Sequence, residues 1–353
     1  MLASPRFQHF AARCWLTRPV ARARARDLFD LVAGFVYSQT LAACLSTGLL
    51  DRLAAGPATT DSLAAAIDLP REGTLRLLRA AAALDLVERL DADWALGPAG
   101  AALRGNRGIA EMVAHHALLY ADLADPVALL RRGGGGGALS HYWTYASGDE
   151  SAEGDVAPYS RLMAASQPLV AAQILESYRF AHHRRVLDVG GGEGRFLESV
   201  GAAVPGLARG LFDLPAVAER ARTRLGSGVE LHFGDFHQDP IPTGYDLITL
   251  VRVLHDHDDA PALALLRAVF AALPPGGRVL VGEPMADTPG ARRAGDAYFG
   301  FYLLAMGSGR PRSAAEIIAM LRTVGFSGAR VLPTAIPLTC RTILATRPAR
   351  RQS

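Results

Sequence analysis

At 353 residues, half of them hydrophobic, the chain is long enough for a full buried core plus a smaller second domain. Its formal charge of +3 is small for the length, and all 37 basic residues are arginine, which excludes chemistry through a lysine Schiff base. The three cysteines, Cys14, Cys44 and Cys340, are widely spaced, make neither a disulfide framework nor a metal site, and fit a reducing, cytoplasmic compartment.

No cleavable signal peptide is evident at the N-terminus. Arginines at 6, 13, 18, 22, 24 and 26 interleave with Phe7, Phe10, Trp15 and Phe29. Such an arm reads either as solvated or as a contact for acidic head groups or nucleic acid. Residues 31–50 carry no charge and are long enough to span a bilayer. Ser38, Gln39, Thr40, Ser46 and Thr47 argue instead for a buried helix at a subunit interface. Residues 59–104 have a winged-helix-like order. Thr60-Asp61-Ser62 caps an alanine-rich helix, Asp68-Leu69-Pro70 breaks it, and Glu72–Ala83 forms a second helix. Val87–Leu90 and Trp94–Leu96 supply two strands about Asp91-Ala92-Asp93. The second helix offers Arg71, Arg76 and Arg79 but no Asn, Gln or Lys to read bases, and the acidic tip would meet phosphates with the wrong sign. Nucleic acid is therefore not the expected partner. Histidine pairs at 115–116 and 182–183 lack ligand spacing and read as solvated or capping. Gly133–Gly137 reads as a flexible connection.

The second half opens on Val186-Leu187-Asp188-Val189, the end of a buried strand, followed by Gly190, Gly191, Gly192, Glu193 and Gly194. A helix should begin near Arg195–Phe196. Glycines let a ligand approach the backbone, and a helix start offers unpaired N–H groups where open α/β sheets bind nucleotide-like cofactors. A dinucleotide fingerprint needs glycine where Arg195 stands, and Glu193 sits badly beside a pyrophosphate. A methyl-donor site without phosphates is favoured over a dinucleotide site or an ordinary strand–helix turn. Two further strands end in acids. Asp213 lies where a carboxylate meets ribose hydroxyls. Asp235, followed by Phe236, suits an adenine amino group and ring. Tyr245–Val251 and Gly277–Glu283 read as a fourth and a fifth strand. A final pair near Ala329–Leu332 and Thr342–Ala345 completes an α/β, Rossmann-like seven-stranded sheet with one antiparallel strand.

Asp-Val-Gly-Gly-Gly-Glu-Gly at 188–194, Phe-Asp-Leu-Pro at 212–215, Gly-Asp-Phe at 234–236 and Val-Leu-His-Asp-His-Asp-Asp at 253–259 resemble the S-adenosylmethionine-dependent small-molecule O-methyltransferases. The resemblance runs from about Ala25 to Pro348 and implies the class I methyltransferase fold. It implies that Gly190 and Gly192 approach the methionine end of S-adenosylmethionine, that Asp213 with Leu214 holds the ribose, and that Asp235 and Phe236 hold the adenine. Arg252 is a candidate substitute for a lysine that plant relatives carry nearby. His255 would remove the acceptor's hydroxyl proton as the methyl leaves sulfur, and Glu283 would orient it. A base contributes about 10²–10⁴-fold, and alignment up to roughly 7–11 kcal/mol. Where the family places a second carboxylate this chain has Pro311, and His257 stands where relatives carry tryptophan. Asp256 is read as either a substrate contact or a helix N-terminal carboxylate. Tyr159–Met163 resembles the segment that sets a methionine, here Met163, beside the reacting methyl. Tyr302 and Met306, in an apolar stretch over 296–306, fall where relatives build the acceptor pocket. No metal is expected.

The resemblance divides the chain into an N-terminal helical dimerisation domain (1–105), a helical connecting region that contributes to the acceptor pocket (106–180) and a donor-binding domain (181–353). It implies a homodimer through the N-terminal helices. Closer likeness at 5–8, 16–19, 33–39 and 298–312 is to bacterial hydroxyneurosporene/demethylspheroidene O-methyltransferases, which act on the tertiary 1-hydroxyl of acyclic carotenoids. That implies a large hydrophobic acceptor, with the basic–aromatic arm as a peripheral contact at the inner or photosynthetic membrane. A soluble polyketide or phenolic acceptor is the alternative, and a non-catalytic winged-helix regulator that binds the donor is a third reading.

Overall fold

The computed structural model describes residues 3–141 and 157–349. The chain forms two compact units, Met1–Ala114 and His115–Ser353. In the first, α1 (Pro5–Arg13) and α2 (Arg18–Ser46) each start with a proline in the first turn, where its missing N–H costs nothing. By length and composition α2 is the one helix among the described residues able to cross a membrane. The first part of the stretch 31–50, expected to be buried, is bare in the single chain, with Leu31, Val32 and Phe35 72%, 65% and 65% exposed, whereas Cys44, Leu49 and Leu50 further along are buried.

After α3 (Leu49–Ala54), β1 (Ala58–Thr59) leads into α4 (Thr60–Ala66), α5 (Arg71–Ala82), β2 (Val87–Leu90), β3 (Asp93–Leu96) and α6 (Pro98–Arg104). The strands form an antiparallel sheet in the order β1-β3-β2. Leu49, Leu53, Leu63, Leu78 and Trp94 fill the core beneath. The cap of α4 is Thr59, whose hydroxyl accepts the Ser62 N–H at 3.2 Å, not the three residues expected. The Thr60 hydroxyl instead accepts the Trp94 indole N–H at 3.0 Å and ties the helix to β3.

α7 (Arg107–Asp122) runs into the second unit, followed by α8 (Pro126–Arg131) and α9 (Ala157–Ser177). Next come β4 (Arg185–Val189), α10 (Arg195–Ala203), β5 (Ala208–Asp213), α11 (Pro215–Leu225), β6 (Val229–Phe233), β7 (Leu247–Val251), α12 (Asp259–Ala272) and β8 (Arg278–Glu283). A π-helical turn at Arg293–Tyr298 feeds α13 (Phe299–Met306), and α14 (Ala314–Val324), β9 (Ser327–Leu332) and β10 (Arg341–Thr346) end the fold. The sheet order is β6-β5-β4-β7-β8-β10-β9, and β10 alone runs antiparallel to its neighbours. Successive side chains on the central strands face opposite layers. Leu187, Ile248, Val279 and Ile343 pack with Leu266 and Leu321 on one side, while Val186, Leu247, Leu280 and Leu344 pack with Ile174 and Phe196 on the other. Covering both faces is why these strands read as unbroken apolar runs. The chain order reverses about β4, so the carboxyl ends of β4 and β7 flank the crevice where this architecture places ligands.

Two sequence expectations fail here. Gly133–Gly137 is a packed turn, not a free tether: Gly135 N–H donates to Leu304 at 2.9 Å, and the Asp122 carboxylate accepts the N–H groups of Ala138 and Leu139. A side chain at Gly134 would overlap the Leu304 carbonyl, so the run lets the loop lie against the end of α13. Of the two histidine pairs only His182 stays exposed as expected; the other three histidines are packed against partners. His115 is buried and hydrogen-bonds Tyr302 at 2.9 Å, and His116 meets Tyr298 at 2.8 Å. His183 lies between Tyr178 at 2.6 Å and Asp246 at 2.9 Å.

Candidate active site

The glycine turn closes on the strand ends. Gly190 N–H donates to the Phe212 carbonyl at 2.8 Å, and Asp213 accepts the N–H of Gly192 at 2.7 Å and of Leu214 at 2.8 Å. Gly192 holds φ +60° and faces open space where a side chain would stand. The Phe236 ring edge lies beside Gly190, so glycine turn, Asp213 and Phe236 share one crevice. Asp235 is half-buried and engaged locally, accepting the His237 N–H at 2.9 Å and the Gln238 amide at 3.0 Å. His257 stacks edge-on against Phe236, ring centres 5.4 Å apart, and against His237 at 4.9 Å.

Two carboxylates, the buried Asp188 and the half-buried Asp213, give this end its electrostatics. Asp188 accepts the Thr249 hydroxyl at 2.6 Å on one oxygen, while the other has no hydrogen-bond partner. Burial pushes its pKa up to about 7, despite the Thr249 bond, with help from Asp213. Burial likewise lifts Asp213 to about 6, against the two N–H groups it accepts and Arg220. Asp188 was legible only as part of a motif. Its place in a run of apolar residues, at the last turn of a central strand, was the signal that its oxygen would be sealed in.

His255 sits in a 3₁₀ turn, Leu254–Asp256, between β7 and α12, and only 5% of it is exposed. Its Nε2 is 3.0 Å from Asp256 and its Nδ1 is 3.8 Å from Glu283. The second distance is too long for a hydrogen bond. Instead, Glu283 accepts the main-chain N–H of His255 at 3.2 Å. His255 Nδ1 and Glu283 Oε1 both lack hydrogen-bond partners. Burial works to lower the imidazole's pKa, but Asp256 and Glu283 outweigh it, with Arg252 opposing, and the net direction is up. Glu283 is also raised, by burial first. Arg252, just before this turn, takes a left-handed backbone with φ +59° and donates its main-chain N–H to Gly282. Non-glycine residues held there concentrate at functional sites.

Phe299 lies 6.1 Å from His255, ring centre to ring centre. Next to it Tyr298 and Tyr302 stack at 5.9 Å, each hydroxyl bonded to a histidine of α7. Tyr302 and Met306 are buried among Leu119, Leu129, Leu139 and Leu303. Met163 falls in α9, and its side chain lies outside the described residues. No group of side chains able to hold a metal occurs among the described residues. A separate groove of about 460 Å³, lined by Thr288, Pro333, Thr334 and Arg341 among others, contains none of these residues.

The crevice fits a cationic, phosphate-free ligand: beside the glycine turn one Asp188 oxygen is unsatisfied, and Gly192 leaves room for a close approach. A buried carboxylate oxygen without a donor is costly unless a cation or donor meets it.

An O-methyltransferase domain matches residues 120–327, and an O-methyltransferase dimerisation domain matches residues 29–103. The chain is 43% identical to the demethylspheroidene O-methyltransferase of Cereibacter sphaeroides, over 99% of this chain and 94% of that protein. It is 44% identical to the protein of the same name from Rhodobacter capsulatus, over 92% and 82%. Among solved structures it resembles a methyltransferase of calicheamicin biosynthesis in its SAH-bound form, with TM-score 0.77 and 28% identity over 93% of this chain and 98% of that one.

Proposed function

This chain belongs to the O-methyltransferase family, and from that premise we propose that it methylates the tertiary 1-hydroxyl of an acyclic carotenoid, with His255 as general base. Its methyl donor is S-adenosylmethionine, which supplies a methyl group already activated on a sulfonium. The observation that carries the reading is the buried imidazole held between two carboxylates beside the glycine crevice. The 43–44% identity to demethylspheroidene enzymes supports the acceptor, against 30% to a 3-amino-4-hydroxybenzoate 4-O-methyltransferase from Streptomyces cremeus.

In this reading Asp213 with Leu214 holds the ribose, Asp235 and Phe236 hold the adenine, and Gly190 and Gly192 admit the methionine end, with Arg252 nearby. His255 takes the hydroxyl proton on Nε2 while the oxygen bonds to the methyl carbon and the carbon–sulfur bond breaks. A tertiary alcohol is far less acidic than a phenol, so proton removal and methyl transfer are concerted. Met163, Asp256, Tyr302 and Met306 belong to the acceptor side, and the region 106–180 contributes to it. The bonds from His115 and His116 to Tyr302 and Tyr298 support that contribution. The protein forms a homodimer through its N-terminal helices, which the match to a dimerisation domain and the bare apolar side chains of α2 support. The arm before Asp27, six arginines and no acid, touches anionic membrane from the cytoplasmic side.

His255→Ala should lower transfer from labelled donor by about 10²–10⁴-fold. Binding of S-adenosylhomocysteine, followed by calorimetry, should stay close to the parent's. Transfer at the parental rate would reject the base. Turnover of small phenols with none of hydroxylated acyclic carotenoids would reject the acceptor.

A further inference from the structure

The turn that carries His255 is gripped from outside by one short segment, residues 308–312. The carbonyls of four consecutive residues, 254 to 257, each find a donor there. Arg312 Nη1 donates to Leu254 at 2.6 Å, Arg310 N–H to His255 at 2.9 Å, the Ser308 hydroxyl to Asp256 at 2.9 Å, and Arg312 Nη2 to His257 at 2.7 Å. Gly309 N–H adds a bond to the Asp258 carboxylate at 3.0 Å. The approach is close enough that a side chain at Gly309 would overlap the His255 carbonyl. Arg312 is fully buried, and its charge is met by Asp259, 2.7 Å from Nη2 and 2.9 Å from Nε. The segment is itself anchored, through Ser313 and Glu316 at the start of α14 and through Arg310 on Asp259 and Glu316. Between the two arginines Pro311 fixes its own φ and brings no N–H that would need a partner.

We propose that Arg312, with Ser308 and Gly309, is the positioning device of the base: it fixes the backbone turn from which His255 reaches the acceptor, a role nothing in the residue-type pattern assigned. A fully buried guanidinium is kept only where its fork is used, and here it spans two carbonyls and a carboxylate that bracket the turn. The inference rests on His255 as general base, but it is tested without turnover as well.

Arg312→Lys keeps the charge and loses the fork. The turn should then move by a fraction of an ångström to an ångström, and kcat should fall by up to about 100-fold. KM for the acceptor and the Kd of S-adenosylhomocysteine should stay within about threefold of the parent, since no donor-site group touches Arg312. The groups that set the charge of His255 are Asp256 and Glu283, which raise its pKa, and Arg252, which lowers it; His257 and Arg312 stand just beyond. A loosened turn weakens the first two, so the His255 imidazole, followed by NMR, should titrate lower than in the parent. Ser308→Ala, which removes one bond of the four, should give a change of a few-fold in the same direction, and it serves if the lysine variant does not fold. Unchanged kcat and unchanged His255 titration, with only Tm lowered, would overturn the proposal. Because the titration needs no acceptor, it judges the clamp even if His255→Ala shows the base assignment to be wrong.

Discussion

Replacing Glu283 with glutamine removes the charge beneath the base and little else. The amide oxygen can still accept the His255 main-chain N–H, held at 3.2 Å, while the negative charge 3.8 Å from Nδ1 disappears. At that separation a unit charge in an effective dielectric of about 20 is worth about 4 kcal/mol, a ceiling near three pH units on the imidazole's titration. The realised effect is smaller, because buried Glu283 holds its own proton more readily than usual. A downward shift of about one to two pH units is expected. The sign follows from the chemistry. As the proposed base, His255 acts in its neutral form, so kcat should climb with pH through its pKa, which lies above the ordinary value. In Glu283→Gln the climb begins at lower pH. Its plateau is also lower, by about tenfold, because the imidazolium formed as the proton arrives has lost a counter-charge. Initial rates from labelled donor, taken across the pH range at saturating substrates, report both features. An acid limb that stays in place or moves upward would show that Glu283 does not act on the base electrostatically.

Two other outcomes follow from groups away from the base. His115 is buried and pushed down to about 4, by desolvation first and by neighbouring His116 second. A histidine depressed in the folded state stabilises above its unfolded pKa and loses that stabilisation as pH falls through the window from about 6.5 to 4. Tm should therefore drop across that window by an amount worth at most about 3 kcal/mol, and His115→Phe should flatten the drop; equal slopes in both proteins would exclude the histidine as its cause. At the N-terminus, each arginine near an anionic bilayer contributes about 1 kcal/mol, so Arg18→Gln, Arg22→Gln and Arg26→Gln together should weaken binding to phosphatidylglycerol vesicles about 100-fold. Co-sedimentation unaffected by the triple change, or equal on neutral phosphatidylcholine, would remove the membrane contact.

The donor side of the fold was legible because its signals are local. Apolar runs capped by Asp188, Asp213 and Glu283 announce strands buried on both faces, and the glycines at 190–194 announce the turn, so the strands and the crevice are legible from motif spacing, while their order in the sheet is seen only in the fold. What escaped are the pairings that join residues far apart in the chain. His115 and Tyr302 are 187 positions apart, and neither residue type in isolation says that the other will satisfy it. The glycine run at 133–137 misleads for the same reason: composition reports backbone freedom, while the Leu304 carbonyl that uses it is remote. Arg312 is the extreme case. On composition it is one of 37 arginines, and only the folded chain shows it wholly buried against the turn that carries His255.

Pro311 stands where the resemblance implied a second carboxylate, yet the imidazole still faces two acids, Asp256 beside Nε2 and Glu283 beside Nδ1. The two are not equivalent. The Glu283 side chain is completely buried and also engaged with the main chain, whereas that of Asp256 is 22% exposed. A carboxylate open to water can turn aside at small cost, and one sealed in a core cannot. The fixed acid therefore lies on the Nδ1 side and the exchangeable one on the Nε2 side. In the proposed mechanism the incoming hydroxyl meets Nε2, and Asp256, 3.0 Å from that nitrogen, must then give way. With His255 as the proposed base, orientation then falls to Glu283, and an acceptor that bonds Nε2 is expected to displace Asp256.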